Sequence, residues 1–150
     1  MRNKKKGLFL FGMCLLIGTL SACGGQSSME KSPYSEGDLN QLDRVSMSTT
    51  ESVYPVGTSE IKVTISNETE EEYAYGVEFT VEKQEEEEWF VVPFEDGVAW
   101  IAIAHILAPN SENTETLSFD LLEKELEEGS YRVIKTIAGE PVLAMFTIEK

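Results

Sequence analysis

Cysteine and histidine are almost missing from this chain. Its 150 residues hold Cys14, Cys23 and the single His105. With so few soft ligands there is no Cys-x-x-Cys and no His-Glu-x-x-His, so a zinc site has no sequence support and no metal is assigned. No Gly-x-Ser-x-Gly elbow accompanies His105. That residue sits among Ala, Ile and Leu and reads as a packed or edge histidine rather than a catalytic one. No glycine-rich phosphate cradle is present either, and neither catalytic residues nor a cofactor are expected. Basic residues are scarce, 12 Lys and Arg against 27 Asp and Glu, for a formal net charge of −15. Such a surface lacks the basic footprint of a nucleic-acid binder, so no nucleic-acid partner is expected. Long apolar runs are also lacking. The longest, roughly Leu8 to Leu20, falls short of the ~18–20 residues that span a bilayer, and Gly12 and Gly18 interrupt it.

What is present at the N-terminus has a definite order. Arg2, Lys4, Lys5 and Lys6 precede the apolar run, and Leu20-Ser21-Ala22-Cys23 closes it. A basic stretch, a short apolar stretch and small residues before the cleavage point read as an exported leader. With cysteine in last place, the tetrad resembles the signal of bacterial lipoproteins. The resemblance implies that residues 1–22 are removed. Cys23 is then the lipid-attachment residue, placing the protein on the extracytoplasmic face of the cell membrane. Several acyl chains on one cysteine give stable attachment, where a single chain is marginal. Cys14 leaves with the leader and Cys23 is blocked, so the mature chain has no disulfide and depends on its core alone. Losing the four leader cations leaves eight basic residues against 27 acidic ones, a net of −19. That charge is repelled by anionic headgroups and favours solubility.

Residues 23–42 are polar and rich in Gly and Ser, and are expected to form a flexible tether. Residues 43–150 read as one β domain. Ile61, Val63 and Ile65 alternate with polar residues, as do Val77, Phe79 and Val81, and Leu117, Phe119 and Leu121. Each set predicts a strand with one buried face. Trp89–Phe94, Tyr131–Ile137 and Val142–Ile148 predict three more, the last with Val142, Ala144, Phe146 and Ile148 on one face. Val98–Leu107 fits a buried strand or a short helix equally. Asp120–Glu128 fits a helical turn with Leu122 and Leu126 stacked. Seven or eight strands without βαβ alternation predict an all-β antiparallel sandwich.

Acidic residues gather in Glu70–Glu72 and Glu85–Glu88. Both runs read as solvated turns, the second as a hairpin tip, with weak divalent-cation binding as the functional alternative. Trp89, Phe90, Phe94 and Trp100 lie in a stretch that is apolar on both faces. Either a loop covers the second face, or these four form a surface for a partner. A protein partner in the envelope is expected on the second reading. Carbohydrate stacked on an exposed tryptophan is its rival.

Five segments carry a further resemblance: YPVGTSEIKVTISNETEEEYAYGVEFTVEK (54–83), EWFVVPF (88–94), ILAPNSENTETLSFDLL (106–122), EEGSYRVIKTI (127–137) and VLAMFTIEK (142–150). Together they resemble a bacterial immunoglobulin-like domain family of lipoproteins and other exported proteins. The shared motifs are structural, namely an Asn at a turn, Tyr-Gly before a strand, a central Trp and a late Gly-x-Tyr-Arg. The resemblance implies an immunoglobulin-like sandwich and brings no catalytic signature; the chain as a whole reads as a non-enzymatic binding or interaction domain. The resemblance also implies that Tyr131 is a structural tyrosine corner, its hydroxyl bonded within Asp120–Glu127.

Overall fold

Alternation of apolar and polar residues sets the architecture, because each alternating strand must bury one face. A computed structural model describes residues 29–150. The expected leader and Cys23 lie outside the described residues. In chain order the strands are β1 (Glu30–Lys31), β2 (Val45–Thr49), β3 (Val53–Pro55), β4 (Glu60–Asn67), β5 (Tyr73–Tyr75), β6 (Thr80–Glu85), β7 (Glu88–Val91), β8 (His105–Leu107), β9 (Ser111–Ser118), β10 (Gly129–Ile137) and β11 (Glu140–Glu149). Short 3-10 turns occupy Glu36–Asp38 and Phe119–Leu121. Two sheets form a sandwich. The smaller is ordered β2-β4-β9, the larger β1-β7-β6-β10-β11-β3, with β5 joined to β10 and carrying β8. Pairing is antiparallel except where β3 runs parallel to β11.

The core lies between the sheets. Val45, Met47, Ile61, Val63, Ile65 and Leu117 enter it from the small sheet, and Val81, Tyr131, Val133, Ile137, Val142, Ala144, Phe146 and Ile148 from the large one. The β10–β11 hairpin turns on Ala138 and Gly139, both at positive φ (51° and 89°). This is the mirror-image turn geometry whose twist matches the flanking strands. The Glu85–Glu88 run forms the tip of the β6–β7 hairpin, with Glu85 opposite Glu88.

Seven strands have four or more residues, and the described chain is an all-β sandwich of two sheets. Several boundaries differ from the sequence reading. Val77 and Phe79 precede β6 rather than belonging to it. The strand around Leu117 ends at Ser118, and Phe119–Leu121 curl into a 3-10 turn started by the Ser118 side chain, which accepts the Asp120 N–H. Beyond that 3-10 turn no helix forms in Asp120–Glu128, although Leu122 and Leu126 are both buried. Val98–Ala104 is neither strand nor helix, and only His105–Leu107 pairs.

The largest departure lies at the start. Residues 29–42, expected as tether, cross the outer face of the large sheet. β1 pairs with β7 (Glu30 opposite Val91, Lys31 opposite Phe90). Ser32 N–H donates to the Trp89 carbonyl at 2.8 Å. Further along, Leu39 is buried, and Asn40 bonds β11 through Pro141 O and Leu143 N, both at 2.9 Å. Under this strap sit two charged side chains on the outer face, Arg132 and Glu82, both fully buried and directly opposite in register. A carboxylate and a guanidinium facing out of a sheet require cover and partners, and the strap supplies both.

Candidate functional site

The four aromatics singled out in the sequence do not form one patch. Neighbouring strand residues point to opposite faces, so β7 sends Trp89 to the outer face and Phe90 to the inner. The Trp89 ring lies 4.4 Å from the Arg132 guanidinium carbon, a cation–π contact that helps seal the strap. Phe94 and Trp100 do meet. With Phe79 they form an aromatic trio whose centroids are 5.3–5.4 Å apart. Phe79 was read from the sequence only as a strand residue.

Beyond this trio the chain presents apolar side chains to solvent. Trp100 is 37% exposed, Ile101 63%, Ile103 50% and Ile106 52%. Ala99, Ala102 and Ala104 beside them are exposed as well. No Asp, Glu, Lys or Arg occurs from Gly97 to Ser111, in a chain with 27 acidic residues. These exposed side chains give an otherwise acidic domain an uncharged apolar stretch. Phe94 and Trp100 fix its base, while the isoleucines form its face. Periodicity could report that Val98–Leu107 is apolar, but not that Ala99–Ala104 stay outside while Leu107 enters the core.

His105 has structural neighbours. Its ring stacks on Tyr75 (5.4 Å, 22°), and Nε2 lies 3.8 Å from Glu115 Oε1. The other Glu115 oxygen lies 3.0 Å from Lys135 Nζ, an ion pair joining β9 to β10 across the sandwich. Lys135 also donates to the Val77 and Glu78 carbonyls, each at 3.3 Å. The sequence reading singled out neither Lys135 nor Glu115. Asn67 organises the turn holding Glu70–Glu72: its amide donates to Glu71 O and Ala108 O, and its oxygen accepts from Thr69. Among the described residues, no group of three or more His, Cys, Asp or Glu is arranged to hold a metal ion.

Tyr131 hydroxyl donates to the Glu127 carbonyl at 2.8 Å, in the corner leading into β10. Burial, with the nearby Glu127 charge, pushes this phenol up to about 12. Burial also raises Tyr75. A folded-state value above the unfolded ~10 means that folding favours the neutral phenol. This contribution is complete below about pH 10 and is lost as pH rises towards about 12. Tyr131→Phe should cost about 1 kcal/mol at neutral pH and flatten that alkaline decline. Urea midpoints of both proteins, measured at neutral and alkaline pH, check this. Parallel pH curves would refute the assignment.

Comparison with known proteins gives a family and weak structural likenesses. A family model described as a bacterial Ig-like domain matches residues 41–150. Among solved structures, Pseudomonas fluorescens alkylpurine DNA glycosylase AlkC, bound to DNA containing an abasic site analog, is 13% identical. That match covers 71% of this chain and 31% of the other, with a TM-score of 0.42. Listeria innocua β-glucosidase in complex with gluconolactone is 15% identical, over 71% of this chain and 16% of the other, with a TM-score of 0.35. The chain thus spans less than a third of either solved chain. The comparison with curated proteins finds no match.

Proposed function

The chain belongs to the bacterial immunoglobulin-like domain family, and from that premise we propose that it is a non-enzymatic interaction domain, held by a lipid on Cys23 at the extracytoplasmic face of the cell membrane. The observation that carries the interaction reading is the uncharged surface of Trp100, Ile101, Ile103 and Ile106 on an otherwise acidic domain. Exposed apolar area of this kind is a cost to a solitary protein and a gain to one that docks. The structural commitments of His105 to Tyr75 and Glu115 support the non-enzymatic part. Cys23, preceded by the leader, supports the anchor.

Two measurements on the native protein test this. Cells fed an alkyne-tagged fatty acid should label the wild-type chain and not Cys23→Ser, and only the variant should leave the membrane fraction. An unlabelled wild-type chain would overturn the anchor. A photocrosslinking residue at Ile103 should capture an envelope component several-fold more efficiently than one at Thr116, an exposed position on β9. Equal capture at the two positions would overturn the surface assignment.

A further inference from the structure

We infer that the occupant of this apolar surface is the membrane itself: Val98–Ala104 seats in the lipid–water interface beside the Cys23 anchor. The inference rests on the anchored reading above and names the partner of the same surface. It begins with where the described chain starts. Because Glu30 pairs with Val91 and Lys31 with Phe90 in antiparallel register, Met29, the first described residue, lies at the Val92 end of β7, two residues short of Phe94. Phe94 in turn packs on Trp100 at 5.3 Å. Only residues 24–28 separate Cys23 from Met29. Fully extended, that stretch reaches about 20 Å. With residues 29–42 bound to the sheet, the anchor has no longer leash. The end of the sandwich carrying Phe94 and Trp100 is therefore held close to the bilayer.

The chemistry of the segment suits that position. It combines a partly exposed tryptophan, exposed isoleucines and small alanines, with no formal charge from Gly97 to Ser111. Tryptophan favours the headgroup level, where its ring is buried and its N–H stays wet. The segment has no regular secondary structure, so its backbone polar groups rule out deep insertion and restrict it to the headgroup–acyl boundary. Glu95 and Asp96 precede it directly. They select neutral or zwitterionic headgroups over anionic ones, and added anionic lipid should weaken the contact.

The test uses the full lipidated chain reconstituted in phosphatidylcholine vesicles. Ile101→Cys places the only unblocked thiol on the loop for a polarity-sensitive fluorophore, and Thr116→Cys is the reference. The label at 101 should shift to the blue, quench with nitroxide-bearing lipid, and resist aqueous iodide several-fold better than the label at 116. Exchanging part of the phosphatidylcholine for phosphatidylglycerol should reduce the difference. Equal iodide quenching at the two positions overturns the inference. So does a label that is shielded in native membranes but not in pure lipid, which would give the surface to a membrane protein. The mass of the same purified chain reports the anchor separately. Lipidated Cys23 with an exposed label defeats the loop assignment alone, and unmodified Cys23 defeats the anchor on which the inference rests.

Discussion

Arg132→Ala is expected to destabilise the domain by about 3–5 kcal/mol, because it strands a buried carboxylate. Glu82 Oε2 accepts from Arg132 Nε at 2.7 Å, and both side chains are fully buried. Ser32 hydroxyl donates to the other Glu82 oxygen at 2.7 Å and accepts from Arg132 Nη2 at 3.3 Å. Glu36, largely exposed, accepts from Nη1 at 3.0 Å. That last pair should contribute little, since exposed ion pairs are screened. The Glu82 pair is different, because neither group can find water when the other is removed. Arg132 also clamps the strap, through Ser32 and Glu36 as well as the Trp89 ring. The variant should therefore show two changes at once: a lowered denaturation midpoint, and tryptic cleavage at the exposed Lys31 under conditions where the wild type resists. A stable variant with an intact strap would sink this account.

Lys135→Ala should cost a similar amount, about 3–5 kcal/mol, at the opposite face of the same strand. It abandons Glu115 between the sheets and leaves the Val77 and Glu78 carbonyls without that donor. Glu115 has little in reserve, since its Oε1 is buried and makes no hydrogen bond. The double variant Lys135→Met with Glu115→Leu should recover most of the loss, because apolar pairs of similar volume often replace buried ion pairs at no net cost. The measurement is a double-mutant cycle of denaturation free energies. A double-variant loss equal to the sum of the losses of Lys135→Met and Glu115→Leu would mean that the two residues act independently.

These two charged residues also mark where the sequence was hard to read. Strands with one wet face declare themselves: Ile61, Val63 and Ile65, and Val142 through Ile148, occupy the faces their alternation assigns. β10 does not alternate in that way, because Tyr131 to Lys135 are buried without a break. Arg132 and Lys135 look like solvent-facing positions until the strap and the opposite sheet are in place. The strap itself was invisible for a related reason. Its polar contacts are distant, Ser32 meeting Arg132 across 100 residues, while its own sequence is mostly polar and follows the Gly/Ser stretch 24–28. Trp89 and Phe90 could have been separated from the sequence alone, since adjacent strand positions never share a face. Val98–Leu107 could not be resolved, because its apolarity fits burial and outward display equally well.

The strap has a mechanical consequence. If Cys23 is held by lipid and the domain is pulled from the far side, the load enters at Met29 and meets the two-residue β1–β7 pairing first. Force applied there peels contacts one after another, Ser32 to Trp89, then the Arg132 clamp, then Asn40 on β11. The sandwich behind them is loaded only after these have gone. Residues 29–42 thus act as a shock absorber whose slack is released before the core feels tension. Released fully, those fourteen residues lengthen the leash by about 45–50 Å, which lets the domain move that much further from its point of attachment.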